Sequence, residues 1–156
     1  MKVARYIEPL GMVSLEYDGD GISSLQITAD CSGLDNKPDP FAEKIFSQIS
    51  EYISGSRREF DLKLNLGAQT PFQRAVYEEL LLTPYGQSRS YGQIARAIGR
   101  PGAARAVGMA CNRNPIHIII PCHRVVGSNG ALVGYAAGVD LKRMLLKMEG
   151  LFDFYI

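Results

Sequence analysis

Residues 90–112 read SYGQIARAIGRPGAARAVGMACN, and this stretch decides how the second half of the chain folds. Ser90-Tyr91-Gly92-Gln93 is a capping box, in which the serine hydroxyl accepts from a backbone N–H three residues on and the glutamine reaches back to the serine N–H. Ile94, Ala95 and Ile98 supply an inner face at helical spacing, and Gly99 ends the pattern. Arg100-Pro101-Gly102 makes a tight turn, and a second helix is expected from Ala103 to Asn112. Its residues are mostly small (Ala103, Ala104, Ala106, Gly108, Ala110), so it can approach another backbone or the floor of a groove closely. Arg105 stands near its start, where a helix–turn–helix would place a side chain against base edges or phosphates. Two ordinary packed helices would give the same pattern.

Upstream, Thr70-Pro71-Phe72-Gln73 is a second capping box with proline in the first turn, opening a helix to about Leu82 that Thr83-Pro84-Tyr85-Gly86 stops. Gly67 to Gln69 reads as a short linker, so the expected division is residues 1–67 and 68–156. In the first part, Val3–Ile7, Met12–Tyr17 and Ile22–Thr28 are short strand-like segments separated by Pro9-Leu10-Gly11 and Asp18-Gly19-Asp20-Gly21. Asp39 caps a helix that carries Phe41, Ile45, Ile49 and Tyr52 on one face and ends at Gly55. Phe60, Leu62, Leu64 and Leu66 alternate with polar residues as in a half-buried strand. This part is a small α/β unit with no visible chemistry. Downstream, the apolar run Ile116–Ile120 interrupts an otherwise helical region. A last helix over Val139–Met148 is expected to bury Leu141, Met144, Leu145 and Met148, ending at Gly150.

Composition is ordinary for a globular chain of 156 residues, 46% hydrophobic and 21% charged. No apolar run is long enough to span a bilayer, and Lys2 and Arg5 lead into Glu8 rather than a signal core. Cys31, Cys111 and Cys122 make no paired framework, which points to a reducing, cytoplasmic setting with a free thiol. With His117 and His123 as the only histidines, no zinc-ligand spacing exists, and neither metal nor cofactor is expected. The net charge is only +1, but its distribution is uneven. From Arg89 to Arg124 there are six arginines and no acidic residue, as a phosphate-facing surface requires.

Pro121-Cys122-His123-Arg124-Val125 follows the apolar run. A thiol beside an imidazole and a guanidinium is a setting that favours thiolate, the nucleophilic form. Neighbours on a regular strand point to opposite faces, so Cys122 and His123 cooperate only if the backbone turns or a water relays the proton. Pro121 makes a turn reasonable because it has no N–H for a ladder. A buried structural cysteine is the alternative. Cys111 reads as packing and Cys31 as part of a polar turn.

The run from Asn114-Pro115 through Ile118-Ile119-Ile120-Pro121-Cys122-His123-Arg124-Val125 resembles the active-site signature of the O6-alkylguanine-DNA alkyltransferases. The resemblance continues through Pro71-Phe72-Gln73, Pro84-Tyr85-Gly86, Ser90-Tyr91-Gly92-Gln93 and Ala103-Ala104-Arg105-Ala106-Val107-Gly108, and downstream through Gly134-Tyr135, Gly138 and Leu145 to Glu149-Gly150. It implies an α/β fold with two parts, a small ribonuclease-H-like α/β domain followed by a mostly helical domain with a helix–turn–helix. It implies that Cys122 attacks the alkyl carbon, with His123 as general base through a water, Glu149 orienting His123 and Asn114 bracing the turn. Arg105 would replace the extruded nucleotide in the duplex, and Tyr91 would help drive the flip and donate to the leaving guanine. Arg124, Val125, Tyr135 and Ala136 would border the guanine, Ala136 standing where some relatives carry serine. The zinc found in some members uses cysteines and histidines absent here. The implied partner is double-stranded DNA containing O6-alkylguanine, met by a monomer away from any membrane. A lesion binder without chemistry, a thiol hydrolase and a transcription regulator using the helix–turn–helix alone are the competing readings. The first would not need Cys122, and the second would leave the helix–turn–helix unexplained.

Overall fold

The computed structural model describes residues 1–8, 11–28, 39–132, 135 and 137–151. Cys31, Gly134, Ala136 and the Pro9-Leu10 turn lie outside the described residues. The chain divides into two compact units, Met1–Gly67 with Pro115–His117, and Ala68–Asn114 with Ile118–Ile156. Among the described residues no helix is long and apolar enough to cross a membrane.

The first unit is an antiparallel meander of β1 (Lys2–Glu8), β2 (Gly11–Asp18) and β3 (Gly21–Thr28), with helix α1 (Pro40–Ile53). Asp39 caps α1, its carboxylate accepting from the Ala42 N–H at 3.0 Å. Val13, Leu15 and Tyr17 of β2, Leu25 and Ile27 of β3, and Ala42, Ile45 and Ile49 of α1 are buried as the core. The turn between β2 and β3 ends at Gly21, whose φ is +123°; a Cβ there would lie 2.6 Å from the Lys63 carbonyl oxygen. Only glycine satisfies both demands.

The strand expected over Phe60–Leu66 is reduced to a single bridge between Ile22 and Leu64. The reason lies in β3, whose outer edge serves two segments. Ile22 donates to the Lys63 carbonyl and accepts from Asn65 N–H. Leu25 donates to the Pro115 carbonyl at 2.8 Å and accepts from His117 N–H at 2.8 Å. The edge is occupied before a longer ladder with residues 60–66 can form.

The second unit is built from α2 (Pro71–Leu81), β4 (Arg89–Ser90), α3 (Tyr91–Ala97), α4 (Ala104–Asn112), a 3₁₀ turn at Cys122–Arg124, β5 (Val125–Val126) and α5 (Val139–Met148). Both capping boxes are formed, Thr70 with Gln73 and Ser90 with Gln93. Gly99 has φ +76°, and the next helix, α4, starts after the Arg100–Ala103 turn. Val76, Tyr77 and Leu80 of α2, Ile94 and Ala95 of α3, and Val107, Ala110 and Cys111 of α4 are buried. Tyr77 Oη donates to the Ala110 carbonyl at 2.8 Å. The parallel pairing of Arg89 with Val125 and Ser90 with Val126 ties the start of α3 to the residues that follow the 3₁₀ turn.

The inward face of α5 differs from expectation. Met144 is 47% exposed, while Lys142, Leu145 and Leu146 are buried. The buried stripe runs Lys142, Leu145, Leu146, Glu149, so the helix turns two ionisable residues inward and a methionine outward. The reason is the company that Lys142 and Glu149 keep.

Candidate active site

The turn that presents Cys122 is short and tightly braced. Pro121 adopts φ −82° and ψ 60°, and Cys122 N–H donates to the Ile120 carbonyl at 2.8 Å. This is an inverse γ-turn, the bend that Pro121 made reasonable. The Ile120 carbonyl also accepts from Asn114 Nδ2 at 2.8 Å, so Asn114 fixes the turn from the end of α4. Two residues earlier, Ile118 has φ +71°, an uncommon conformation for a β-branched residue that costs about 1–3 kcal/mol. The surrounding core holds that strain, since Ile118 is buried.

His123 is fully buried, and its Nε2 lies 2.6 Å from Glu149 Oε2. Glu149 sits at the C-cap of α5 and accepts in addition from Arg124 Nε at 2.8 Å, from Arg124 Nη2 at 3.1 Å and from Gly86 N–H at 3.0 Å. Arg124 Nη1 donates to the Thr83 carbonyl at 2.7 Å, and its guanidinium lies over the Tyr85 ring at 5.8 Å. Tyr85 Oη in turn donates to the Met148 carbonyl. The Thr83-Pro84-Tyr85-Gly86 segment, read from sequence as a helix stop, is therefore also half of the cradle for Glu149.

Charge follows from this wiring. Burial opposes the Glu149 carboxylate, but the hydrogen bonds from His123 and Arg124 and the guanidinium charge outweigh it and hold the carboxyl well below its ordinary range. Burial lowers His123 below its ordinary range despite the pull of Glu149, so the ring is neutral and donates its Nε2–H. Nδ1 is then the lone-pair nitrogen. Cys122 is pushed well above its ordinary range by burial, reinforced by contact with Cys111 and opposed by Lys142 and Asn114. The resting group is a thiol. The sequence expectation that Arg124 favours thiolate fails because its guanidinium is engaged by Glu149 and Thr83. Through the same bonds Arg124 anchors Glu149.

Tyr91 opens α3, and a Cβ at Gly108 would meet its ring at 3.8 Å, so the small residue lets α4 close on that ring. Burial raises the Tyr91 phenol and keeps it protonated. Its oxygen accepts from Lys142 Nζ at 3.3 Å, and the ammonium lies 5.7 Å from the ring centroid. Lys142 is 1% exposed and lowered by burial to about 8. Sequence reading missed it, because a lysine on an amphipathic helix is taken for the solvent face. The usable signal was its spacing of seven from Glu149 on one helix.

Val125 is buried, as is Tyr135, whose ring meets His123 edge-on at 6.5 Å. Arg105 is exposed on α4. Cys111 and Cys122 are both free thiols. Among the described residues no group of three histidines, cysteines or carboxylates could hold a metal ion.

A buried thiol followed by a carboxylate-oriented imidazole, in the same unit as a helix–turn–helix, has the chemistry of a group-transfer centre set in a nucleic-acid-binding fold. Residues 71–151, more than half of the chain, match the family model described as 6-O-methylguanine DNA methyltransferase, DNA binding domain, and the chain belongs to that family. It is 43% identical to the methylated-DNA–protein-cysteine methyltransferase of Methanosarcina acetivorans, over 96% of this chain and 99% of that one. Identity to the Mycobacterium tuberculosis protein of the same name is 46%, over 90% and 87% of the two chains. The crystal structure of Mycobacterium tuberculosis OGT in complex with DNA superposes with a TM-score of 0.84 at 43% identity, covering 94% of this chain and 91% of that one.

Proposed function

We propose that this chain repairs duplex DNA by moving the alkyl group of an O6-alkylguanine onto Cys122, once per molecule. The observation that carries the reading is the buried γ-turn thiol followed directly by a neutral imidazole whose far nitrogen is held by a carboxylate at 2.6 Å. A lesion binder without chemistry would need none of this.

Attack at an sp³ carbon calls for a soft nucleophile, and a thiolate is the best side chain for that. Cys122 rests as a thiol, so it must lose its proton during the reaction. His123 Nδ1 receives that proton through a water, and Glu149 stabilises the imidazolium that forms. The sulfur–carbon bond forms as the carbon–O6 bond breaks, and the bonding pair leaves on the guanine. Tyr91 supplies a proton to the departing base, and Lys142 is placed to make good that proton. Asn114 holds the turn, and Val125, Tyr135 and the segment around Ala136 border the base.

The target is stacked inside a duplex, so it must be flipped out at a cost of a few kcal/mol. Arg105, exposed on α4, fills the space the base leaves, while Arg96 and Arg113 contact phosphates. Residues 68–156 carry these steps. The thioether product has no easy leaving group, so Cys122 is not regenerated. A reducing cytoplasm suits a monomer whose function depends on a free thiol.

Intact-mass spectrometry after incubation with a duplex containing O6-methylguanine tests the reading. The expected result is a single added methyl group, located on Cys122 and absent from Cys122→Ser. Continued demethylation with excess duplex, or methylation at Cys111, overturns it.

A further inference from the structure

Helix α4 has a well-defined outward face. Val107, Ala110 and Cys111 point inward, leaving Arg105, Ala106, Met109, Asn112 and Arg113 outward. Along that face every side chain is small, polar or charged except Met109, which is 57% exposed. It stands one helical turn beyond Arg105, at the i+4 position, so the two side chains are neighbours on the same stripe. Covering a methionine is favourable, so a partner that meets this face gains by enclosing it. The fold does not cover it. The partner that meets this face is DNA, on the reading given above.

We infer that Met109 is a second, apolar wedge, which enters the duplex beside Arg105 and holds open a base step next to the extruded nucleotide. Apolar side chains inserted between base steps unstack them and stabilise a deformed duplex. Methionine suits such a place because its unbranched, polarisable chain adapts to steps of different shape. The division of labour follows from chemistry. Arg105 supplies charge and hydrogen bonds where the nucleotide was, and Met109 supplies apolar contact where two bases part. This inference rests on α4 being the helix that meets the duplex.

The test compares Met109→Ala, Met109→Leu and Met109→Gln on two substrates, an O6-methylguanine duplex and free benzylated guanine, which needs no flipping. For Ala and Gln, the ratio of duplex rate to free-base rate should drop by about fivefold or more, and for Leu it should stay within about twofold. The salt dependence of duplex binding should keep its slope, since no phosphate contact is lost. A second readout uses Cys122→Ser, which cannot react, and a duplex with 2-aminopurine beside the lesion. Binding should raise the fluorescence of the unstacked base, and adding Met109→Ala should remove most of that rise. Unaltered ratios and fluorescence in Met109→Ala, with Arg105→Ala still slowing the duplex selectively, would overturn the wedge while leaving α4 at the duplex. If Arg105→Ala is also unselective, the placement of α4 fails and this inference with it. A reduced slope in Met109→Ala, or full activity in Met109→Gln, would also overturn it, because neither is an apolar effect.

Discussion

His117 and His123 lie six residues apart, both buried, both lowered below the ordinary imidazole range mainly by burial. They also share a tautomer. In His117 Nδ1 accepts from the Ile27 N–H at 3.3 Å, so the proton is on Nε2. In His123 Nε2 faces the Glu149 carboxylate, so the proton is again on Nε2. Burial and tautomer therefore do not separate His117 from His123, the base of the proposed reaction. Their partners do. In His117 the lone pair is used to finish the edge of a β-sheet, beside the bridge between Leu25 and Ile116. In His123 a carboxylate holds the opposite nitrogen, so a proton arriving at Nδ1 finds a counter-charge already in place. The resemblance assigns the base to His123, and the hydrogen-bond partners give the physical difference between the two rings.

The strongest way to break the comparison is to remove each ring in turn. His123→Ala should lower the single-turnover rate of alkyl transfer by about 10²- to 10⁴-fold, the range of general-base catalysis. The folded fraction of an His117 variant should transfer at the parental rate, because that ring only completes a sheet. Equal losses at the two positions would mean that His123 too is a packing residue.

A smaller effect is expected at Glu149, which on the proposed reading acts through His123. Glu149→Gln should slow transfer, by less than His123→Ala does, and leave duplex affinity near the parental value. It also strands the Arg124 guanidinium, and breaking a buried ion pair costs about 3–5 kcal/mol, so the melting temperature must be read beside the rate. The separating readout is the pH profile. In the parent, His123 is neutral and lowered, so the rate should hold down to below pH 6.5 before falling. In Glu149→Gln the imidazolium loses its counter-charge and the plateau itself should drop. An unchanged rate per folded molecule would reduce Glu149 to a structural partner of Arg124.

This contrast also shows what the sequence could and could not carry. The two capping boxes, the α5 boundaries and the bend at Pro121 were legible because each rests on residues within a few positions of one another. The strand expected over Phe60–Leu66 was not, because its length depends on who else occupies the β3 edge, and Pro115–His117 come from far along the chain. Lys142 was missed, and the engagement of Arg124 by Glu149 was not foreseen, for a related reason. Hydrophobic periodicity places apolar residues inward and treats charged ones as solvent-facing or free to act. Here Lys142 is turned in toward Tyr91, and Arg124 is consumed by Glu149, by contacts between residues 25 to 51 positions apart. Of the candidate site, the cluster of Cys122, His123, Glu149 and Asn114 was legible through the family resemblance. The charge state of the thiol was not, since burial is a property of the fold.

Acid should act on stability through His117. His117 is lowered by burial from 6.5 to about 4. Between those values the unfolded ring binds a proton and the folded one does not, so stability is full above pH 6.5 and is lost as pH falls toward 4. The loss is on the order of 3 kcal/mol at most. Protonated Nδ1 would also confront the Ile27 N–H with a second donor. Hydrogen exchange at Ile27, corrected for its intrinsic rate, should therefore accelerate through this window. The Asp39 carboxyl, held down to about 2 chiefly by its hydrogen bond from Lys2, changes only at lower pH and does not interfere. Acceleration that begins only below pH 4 would show that His117 does not control this edge.

The smallest expected effect sharpens the comparison most, because it keeps the hydrogen bond and removes only the titration. In His117→Asn the side-chain oxygen can take the place of Nδ1 and accept from Ile27 N–H, while no group there can gain a proton. Lost ring volume should cost about 1–2 kcal/mol at neutral pH. In return the acid branch between pH 6.5 and 4 should lose the His117 share, so that parent and variant converge in stability near pH 5. The rate of alkyl transfer at neutral pH should match the parent throughout. The same replacement at His123 should differ in the rate, which should be lost, since an amide cannot serve as a base. A parallel pair of stability curves for the parent and His117→Asn, offset equally at all pH values, would show that the acid sensitivity of the first unit arises elsewhere.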